Sequence, residues 1–550
     1  MPETSRRIPA DIARMAFDVI IVGAGINGAG LARDAALRGL RVLLLDKNDL
    51  ASGTTSWSTR LIHGGLRYLE HGEVGLVRES LRERERLFHI APHLVRPLPM
   101  LIPIYEQARR GPLTIRAGML AYDALSFDKS LARHRMLSRA ETLRRAPGLK
   151  AEGLRGSALY HDAQVEYAER LVVENVLSAR ERGALVLTYA RVERLLTEGN
   201  CVRGVEFTDM LEGGTHTARA PVVFNVAGPW VDSLLARFDI AAQSPRLIGG
   251  TKGSHIVVAP FAGAPATALY VEAGADVRPF FIIPWNRLYL IGTTDRRYEG
   301  DLDCVTADDA EIDYLLSETN RVIPAARLTR ASILYTYSGI RPLAYSDDHA
   351  EKGITRRHFI HDHAPRLEGL LSIAGGKLTT YRRLAEQAVN QLFKKLGRAS
   401  PRCLTAQTPL PGARFPDAGD FQTFSDRFHQ QSSLPASVNE RLLRVYGARA
   451  ELLLKLVSEH AELGEVLTHD SAAIGAEVLL AFQHELACTL ADCLLRRTML
   501  GLDAAVGYGA DEAVARVARK YLHWSEERAA REVAAYRAYV ARFHPRVVKD

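Results

Sequence analysis

The sequence of 550 residues contains little cysteine and no long apolar run. Its five cysteines are scattered, without C-x-x-C spacing or a neighbouring histidine cluster, at Cys201, Cys304, Cys403, Cys488 and Cys493. This distribution predicts neither a disulfide framework nor a metal site, and it is typical of proteins in the reducing cytoplasm. Because no apolar stretch reaches the roughly 18 to 20 residues that a spanning helix needs, we expect no transmembrane segment.

The start of the chain and its charge exclude further classes of protein. Residues 1–14 contain three arginines but no apolar core of the signal-peptide type, so we expect no export. The net charge of +7 is small for this length. It suits an anionic ligand or a membrane surface, but it gives no reason to expect nucleic acid as a partner. The composition is that of a globular protein, and the length predicts two or three domains.

A β-α-β pattern occupies residues 17–47. The β-branched run at 19–22 predicts a buried strand, and the Ala-rich segment 26–38 predicts a helix that ends at Gly39. The following letters RVLLLD predict a second buried strand that ends at Asp46. This arrangement is typical of a nucleotide-binding domain.

A G-x-G-x-x-G motif, GAGING, joins the first predicted strand to the helix. Gly23 allows a tight turn, Gly25 lets the backbone approach a pyrophosphate, and Gly28 lets the helix pack on the strand. The N–H groups at Ile26 and Asn27, at the start of the helix, would face the phosphates. Asp46 stands where a carboxylate accepts hydrogen bonds from an adenosine ribose. The pattern predicts a dinucleotide site, and the alternative is a tight turn in another α/β protein with the carboxylate merely solvated.

The stretch after the second strand, NDLASGTTSWSTRLIHGG, favours FAD over NAD. An NAD-binding domain would more usually continue into a helix and a third strand. Small hydroxyl residues can instead wrap an extended diphosphate and ribityl chain, and a glycine pair admits a flat ring system. The residues concerned are Lys47, Ser52, Thr54, Thr55, Ser58, Gly64 and Gly65. The alternative is an ordinary surface loop.

Seven separated stretches carry a family resemblance. They are GINGAGLARDAALRG (25–39), STRLIHGGLRYLEHGE (58–73), NVAGPWVD (225–232), TKGSHIVV (251–258), IGTTD (291–295), YSGIRPL (337–343) and GGKLTTYRRLAE (375–386). In this order the chain resembles the FAD-dependent glycerol-3-phosphate dehydrogenases of the D-amino-acid-oxidase-like flavoprotein superfamily. It departs from the family in having GAG where GGG is common, in a poor match over 105–160, and in only loose similarity beyond about 405.

The resemblance implies an α/β fold with three parts. A Rossmann-like FAD-binding domain is interleaved with an antiparallel-sheet substrate domain, and a C-terminal all-α domain follows. Helical periodicity at 437–447, 477–502 and 511–543 agrees with the third part. The predicted boundaries are 17–95, 160–235 and 365–395 for the FAD-binding domain, 96–159 and 236–364 for the substrate or cap domain, 396–404 for the start of a Pro/Gly-rich linker, and 405–545 for the helical domain.

The resemblance also implies further contacts to a non-covalently bound FAD. The backbone of Val192 would meet the adenine. A second group would lie near the phosphates or the flavin ring, at Ala227, Gly228, Trp230, His63 and Gly339. The last group precedes or begins a predicted helix and would face an anion or the flavin edge, at Gly375, Gly376, Lys377, Leu378 and Thr379.

Oxidation of a secondary alcohol to a ketone needs a hydride acceptor at the carbon and a proton acceptor at the oxygen, and a phosphorylated substrate needs fixed cations. The candidate catalytic residues are Arg341, His63, His255 and Lys377. The resemblance places Arg341 near the reacting carbon and Lys377 at the phosphate, and it implies substrate contacts from Arg67, Tyr68, Thr294 and Arg356. The two histidines have suitable intrinsic pKa values, whereas an arginine is too basic and more plausibly stabilises alkoxide charge. We therefore predict a histidine-assisted hydride transfer, with either histidine as the base.

The expected reaction is the FAD-dependent oxidation of sn-glycerol 3-phosphate to dihydroxyacetone phosphate. Hydride would pass from C2 to the flavin N5, and the electrons would go to ubiquinone or menaquinone. Two alternatives of the same fold are an oxidase that uses O₂ and a flavin amine oxidase. A non-enzymatic flavin sensor or an RNA-binding flavoprotein is disfavoured by the weak net charge and by the lack of an RNA-binding motif.

A quinone acceptor implies contact with the inner face of the cell membrane without crossing it. Two segments combine basic and apolar residues in a way that suits a membrane interface, namely 109–127 and the final residues 536–550. The alternative is that these helices pack on their own protein or on a second subunit of a homodimer.

Overall fold

The computed structural model describes residues 6–240, 245–345, 357–416, 419–469 and 471–544. The strands, numbered in chain order, are β1 (Val19–Val22), β2 (Val42–Leu45), β3 (Leu61–Ile62), β4 (Val95–Tyr105), β5 (Arg135–Ser138), β6 (Leu154–Val165), β7 (Leu185–Leu187), β8 (Ala190–Glu198), β9 (Cys201–Asp209), β10 (Thr215–Arg219), β11 (Val223–Asn225), β12 (Thr251–Val258), β13 (Ala268–Glu272), β14 (Pro279–Trp285), β15 (Leu288–Gly292), β16 (Arg296–Arg297), β17 (Ile333–Arg341), β18 (Phe359–Asp362) and β19 (Leu370–Ala374). The helices are α1 (Ile26–Leu37), α2 (Val74–Ile90), α3 (Pro112–Leu125), α4 (Arg139–Arg145), α5 (Ala168–Arg180), α6 (Val231–Arg237), α7 (Asp309–Val322), α8 (Tyr381–Lys395), α9 (Phe421–Gln431), α10 (Ala436–Tyr446), α11 (Ala450–Glu459), α12 (Gly475–His484), α13 (Leu490–Asp492), α14 (Ala510–Tyr521) and α15 (Glu526–Val540).

A six-stranded sheet forms the nucleotide-binding part of the fold, in the order β18-β19-β11-β1-β2-β7. All neighbouring pairs are parallel except β18 with β19. Every residue of β1 and β2 is buried, because helices cover one face of this sheet and the β8-β9-β10 sheet and α6 pack on the other. The strand expected at 19–22 is present, and the helix expected at 26–38 ends one residue earlier, at Leu37.

A ten-strand sheet, mostly antiparallel, forms the second part. Its main path is β16-β12-β15-β14-β13-β4-β6-β3, with β17 beside β12 and β5 beside β6. The longest pairing joins β4 and β6, while β12 is flanked by β15 and β17. The ends of β12, β15 and β17 therefore lie side by side. The predicted α/β class with interleaved parallel and antiparallel sheets is confirmed.

The third part is helical, as expected, but its helices are shorter than the periodicity indicated. Stretch 477–502 is broken after α12, where Leu486 has a positive φ of 61° and Thr489 caps the next helix by accepting from the backbone of Asp492. Stretch 511–543 is broken at His523, which has a φ of 56°. Apolar periodicity continues across both breaks because each helix packs on the same core. None of the described helices is long and apolar enough to cross a membrane.

Candidate functional site

Two adjoining cavities lie at the carboxyl edge of the parallel sheet. The first has a volume of about 470 Å³ and is lined by residues that follow β1, β2, β11 and β19. The second, of about 510 Å³, lies beneath the ten-strand sheet. The residues that line both are Thr54, Ser58, Pro342, Gly376, Lys377 and Leu378. The two cavities thus form one continuous site, placed where open α/β sheets bind their ligands.

The glycine turn after β1 is shaped by the packing of backbone on backbone. Gly23 has a φ of 113°, and a Cβ there would lie 2.5 Å from the carbonyl oxygen of Val226. A Cβ at Gly28 would lie 1.8 Å from the carbonyl oxygen of Gly23. By contrast, a Cβ at Gly25 would meet only the hydroxyl of Thr55, at 3.5 Å. Gly25 is therefore the glycine whose missing side chain leaves room for a ligand.

Asp46 holds the glycine turn and also faces the first cavity. Its carboxylate accepts hydrogen bonds from the backbone N–H of Ala24, at 2.6 Å, and of Asn48, at 2.8 Å. Burial raises the pKa of Asp46 to about 6 against the lowering effect of these two bonds. The group is thus mainly ionised at neutral pH, and each oxygen keeps a lone pair that can accept a ribose hydroxyl.

The far end of the first cavity is formed by the edge strand β8. The N–H of Ala190 donates to the carbonyl of Asp46 at 2.7 Å. Val192 lies two residues further along the strand, so its backbone groups point the same way, and it lines the first cavity. This edge has the donor and acceptor pair that an adenine ring requires.

Two buried polar atoms of the first cavity have no hydrogen-bond partner among the described residues. They are the indole N–H of Trp230 and the side-chain oxygen of Asn27. Trp230 lies under Lys47, whose ammonium is 4.6 Å from the ring centroid, and next to Gly228, which has a φ of 58°. Because both atoms belong to residues that line the cavity, a ligand with polar groups of its own would supply the partners they lack.

Hydroxyl residues on 52–58 are divided between ligand and protein. Thr54 donates to the carbonyl of Ile340 at 2.7 Å, and Thr55 accepts from the N–H of Ile26 at 3.2 Å. The N–H of Ile26, expected to face phosphate, is thus already bonded. Ser52 and Ser58 line the first cavity beside them.

The glycine pair 64–65 is explained by protein packing and not only by room for a flat ring. The N–H of Gly64 donates to the hydroxyl of Tyr122 at 2.9 Å, and a Cβ at Gly64 would lie 2.3 Å from that oxygen. Gly65 has a φ of 77°, and a Cβ there would lie 2.1 Å from the ring of Tyr68. Only Gly65 of the two lines the second cavity. Gly339 is similar, since its Cβ would lie 2.8 Å from Trp57.

The segment after β19 joins the two cavities. Gly375 and Gly376 have φ values of 78° and 97°, and they turn the chain so that Lys377 lies in both cavity linings. The ammonium of Lys377 lies 3.7 Å from the ring centroid of Tyr68. Thr379 accepts a hydrogen bond from the N–H of His63 at 3.1 Å and so ties this segment to the HGG turn.

Arg341 ends β17 and enters the second cavity through a gap left by a glycine. Its guanidinium is 3.0 Å from the carboxylate of Asp295 and 2.9 Å from the hydroxyl of Thr293. A Cβ at Gly253 would lie 2.3 Å from the same guanidinium, so a larger residue on the neighbouring strand would displace Arg341 from this position. Arg67 and Lys377 line the same cavity. The sequence-predicted cations from 67, 341 and 377 are therefore brought together.

His255 lies on β12 and is almost fully buried against the second cavity. Its ring stacks on Tyr337 with centroids 4.8 Å apart, and its Nε2 is 3.0 Å from the hydroxyl of Thr59. Burial lowers the pKa of His255 well below its usual value, and the charges of Arg341 and Arg60 lower it further. The imidazole is therefore neutral at neutral pH and keeps a lone pair for a proton.

The structure does not place the predicted substrate contact Thr294 in the lining of the second cavity. The hydroxyl of Thr294 donates to Glu311 at 2.6 Å and accepts from the N–H of Ser254 at 2.9 Å. Both bonds fix it inside the protein, and it does not belong to the lining of the second cavity, whereas Thr293 does. We therefore replace Thr294 by Thr293 as the candidate contact. Arg356 lies outside the described residues.

Sequence reasoning missed several residues that line the second cavity. Arg278 adds a cation beside Arg341, and Thr59 and Asp295 contribute polar groups. Arg278 directly precedes the apolar run of β14, and a charge at a strand start is an ordinary surface feature. Only the three-dimensional neighbourhood separates it from such residues.

Comparison with known proteins identifies this arrangement. A family model described as "FAD dependent oxidoreductase" matches residues 18–382, and one described as "C-terminal domain of alpha-glycerophosphate oxidase" matches 403–529. The chain belongs to the FAD-dependent oxidoreductases. The predicted cofactor is thereby confirmed, and the unpaired polar atoms and the open Gly25 of the first cavity fit it.

Relatives over the full length place the chain more narrowly within that family. It is 48% identical to a glycerol-3-phosphate dehydrogenase of Synechocystis, covering 96% of this chain and 97% of the relative. Identity is 41% with one from Pseudomonas aeruginosa, covering 88% and 92%. The glycerol-3-phosphate dehydrogenase of Bacillus halodurans, solved in complex with FAD, superposes with a TM-score of 0.79 at 30% identity, covering 98% and 97%. The resemblance seen in the seven motifs is confirmed.

Proposed function

We propose that the first cavity holds the adenine, ribose and phosphates of FAD, and that the residues shared by both cavities hold the flavin ring. Three features support this assignment. Asp46 offers acceptors for ribose, Val192 offers a free strand edge for adenine, and the start of α1 lies beside the open Gly25. Trp230 and Asn27 would gain partners from the bound cofactor.

We propose further that sn-glycerol 3-phosphate binds in the second cavity and that the enzyme oxidises it there to dihydroxyacetone phosphate. The observation that carries this proposal is the convergence of Arg67, Arg278, Arg341 and Lys377 on one cavity, because several fixed cations suit a dianion. The relatives named as glycerol-3-phosphate dehydrogenases support the same substrate. FAD, when bound, supplies the hydride acceptor at its N5 atom.

Side chains of the protein bind the phosphate, stabilise the alkoxide and accept the hydroxyl proton. Arg67, Tyr68 and Lys377, which lie near the HGG turn at 63–65, bind the phosphate of the substrate. We assign the same role to Arg356. Arg341 is held by Asp295 and Thr293, so its charge has a fixed position from which to stabilise a developing alkoxide. A neutral His255 takes the hydroxyl proton, directly or through the hydroxyl of Thr59. His63, which also lines the second cavity, is the alternative base.

Anaerobic reduction of the bound flavin tests the substrate. Glycerol 3-phosphate should bleach the flavin absorbance, while glycerol, which lacks the phosphate, and glycine should not. Bleaching by glycine but not by glycerol 3-phosphate would identify an amine oxidase and overturn the proposal.

Reoxidation of the reduced enzyme then distinguishes a quinone from O₂ as the electron acceptor. We expect fast reoxidation by a soluble quinone and slow reoxidation by O₂, and the reverse would make the enzyme an oxidase.

A quinone acceptor requires contact with a membrane, and we propose that α3 provides it. The helix buries Ile115, Met119 and Tyr122 on its inner face. Its outer face and the turn after it expose Leu113, Leu120 and Phe127, with exposed fractions of 82%, 56% and 77%. Arginines near them in sequence, at 109, 116 and 133, are exposed as well. Apolar and basic residues on one surface favour an interface with anionic lipid.

The other predicted membrane segment offers less. Helix α15 buries Ala529, Tyr536 and Val540 against its own domain, and residues 545–550 lie outside the described part of the chain.

Vesicle binding tests the surface of α3. Co-sedimentation with phosphatidylglycerol vesicles should be lost in a Leu113→Ser, Leu120→Ser, Phe127→Ser variant. The matched control is Met210→Ser with Leu211→Ser, which removes an exposed apolar pair elsewhere. Equal sedimentation of wild type and the α3 variant would exclude this surface.

A further inference from the structure

The segment 49–57 contacts both the proposed FAD site and the C-terminal helical domain. Its residues 52–55 line the first cavity. Residues 52–54 also line a third cavity of about 480 Å³, which adjoins the first and whose lining includes Arg496, Tyr539 and Phe543 of the C-terminal domain. Within the described residues, the linings of the first and second cavities contain nothing beyond Thr379. The C-terminal domain therefore meets the proposed FAD site at segment 49–57 and at this adjoining cavity.

The beginning of this segment is fixed by a buried ion cluster. Both oxygens of Asp49 are bonded by Arg497, at 2.7 and 2.9 Å, and Arg496 adds a bond of 2.5 Å. The carboxylate and the Arg497 side chain are fully buried. Burial alone would raise the pKa of Asp49, but Arg497 and Arg496 outweigh it and hold the pKa below its usual value. Asp49 is thus charged and bound to the C-terminal domain at neutral pH.

The end of the segment is held by an aromatic contact with the same domain. The ring of Trp57 packs on Phe543 with centroids 4.9 Å apart. Phe543 is itself fixed, because its carbonyl accepts a hydrogen bond from the hydroxyl of Thr336 at 3.2 Å. Both ends of the segment that would cover the cofactor are therefore held by residues from the last part of the chain.

We propose that the C-terminal helical domain positions the FAD-holding segment, with Arg496, Arg497 and Phe543 as positioning residues for the cofactor. This inference rests on the assignment of the first cavity to FAD. A segment held in its bound conformation loses less conformational entropy when the ligand binds, and so raises affinity. By linkage, FAD must in turn stabilise the contacts that hold the segment.

Replacement of Asp49 by Asn tests the ion cluster. The matched control is Glu477→Gln, which changes a carboxylate that is equally buried and paired with Arg441 inside the C-terminal domain. We expect the dissociation constant of FAD, measured by flavin fluorescence on flavin-free protein, to rise on the order of tenfold or more in Asp49→Asn. It should stay within about threefold of wild type in Glu477→Gln, because both variants lose a buried ion pair but only one pair touches the segment. Equal effects in the two variants, or no effect in Asp49→Asn, would overturn the proposal.

Hydrogen exchange on the wild-type chain tests the same coupling without a variant, in case Asp49→Asn does not fold. Addition of FAD to the flavin-free protein should slow amide exchange at 493–497 and 541–543, although these residues do not line the cofactor cavity. Helix α9, at the far side of the same domain, is the internal control and should not change. Unchanged exchange at 493–497 would refute the coupling, whereas failure of wild type to bind any FAD would refute the assignment of the first cavity instead.

Discussion

The two cavities of the site are lined by different kinds of residues. The first contains the glycines and small hydroxyl residues of the turns that follow neighbouring parallel strands, together with charged side chains such as Asp46, Lys47 and Arg237. The second is lined by large and charged side chains from segments far apart in the chain, among them 57–73, 253–255, 278–281 and 339–343. A diphosphate cofactor is held by many N–H groups, whereas a small dianion needs a few fixed cations. On the proposed assignment, this difference predicts that cofactor binding is most sensitive to the shape of the backbone at the glycine turns, and substrate binding to side-chain charge.

The largest expected effect comes from adding a methyl group to the backbone of the first cavity. Gly28→Ala should abolish FAD binding and lower the unfolding midpoint, because its Cβ would lie 1.8 Å from the Gly23 carbonyl. Gly25→Ala has room within the protein, so it should weaken FAD binding while the flavin-free protein keeps its stability. Fluorescence titration and thermal unfolding measure the two quantities.

The control for both variants is Gly118→Ala, which lies on α3 with no atom within 4 Å of the added Cβ. It should leave FAD affinity unchanged and should not lower stability, because alanine is favoured over glycine inside a helix. If Gly25→Ala destabilised the flavin-free protein as much as Gly28→Ala does, the distinction between a packing glycine and a ligand glycine would fail.

Catalysis in the second cavity should depend on the charge of its side chains and not on the shape of the backbone. Arg341→Gln should lower kcat/KM for glycerol 3-phosphate on the order of 100- to 1000-fold, because it removes a fixed donor at the developing oxyanion. FAD affinity should not change, since Arg341 does not line the first cavity. Arg341→Lys keeps the charge but loses the planar fork that bonds Asp295 and Thr293, so it should recover only part of the rate. A tenfold loss of FAD affinity in Arg341→Gln would contradict this division.

The same contrast explains what the sequence could and could not predict. The strand at 19–22, the glycine turn and Asp46 follow from local periodicity and spacing, because their geometry is set within one β-α-β unit. Arg278, Thr59 and Thr293 had no local signal, since their role depends on the order β17-β12-β15-β14 within one sheet. Motif resemblance gave Arg341 and Lys377 but also gave Thr294, whose hydroxyl turns toward Glu311. Spacing in a strand cannot tell which of two adjacent threonines faces a cavity when the chain turns there.

His255 should give the second cavity its pH dependence. Its pKa in the folded protein is lowered below the unfolded value of about 6.5. The unfolded chain therefore binds the proton first, so stability from this group is present above about pH 6.5 and is lost as the pH falls below it. The neutral base also survives below that pH in the folded enzyme, and the acid limb of flavin reduction should lie below about 6.5.

Stopped-flow reduction of the flavin across this pH range tests the assignment of the base. His255→Asn should slow reduction by about 100-fold and remove the acid limb. His63→Asn is the matched comparison, because His63 lines the same cavity. An acid limb that persists in His255→Asn and disappears in His63→Asn would assign the base to His63.

The smallest effects separate two adjacent threonines of the second cavity. Thr293→Val removes a hydrogen bond to Arg341 and should raise KM for glycerol 3-phosphate about three- to tenfold without changing the unfolding midpoint. Thr294→Val removes the acceptor of the buried Ser254 N–H and the donor to Oε1 of Glu311, although Oε2 of Glu311 keeps its bond from the Ser254 hydroxyl. It should therefore cost about 1–3 kcal/mol of stability while KM stays unchanged. Steady-state kinetics of both variants measure KM, and denaturant unfolding measures their stability. A raised KM with full stability in Thr294→Val would return that hydroxyl to the substrate site and show that the turn after β15 rearranges when substrate binds.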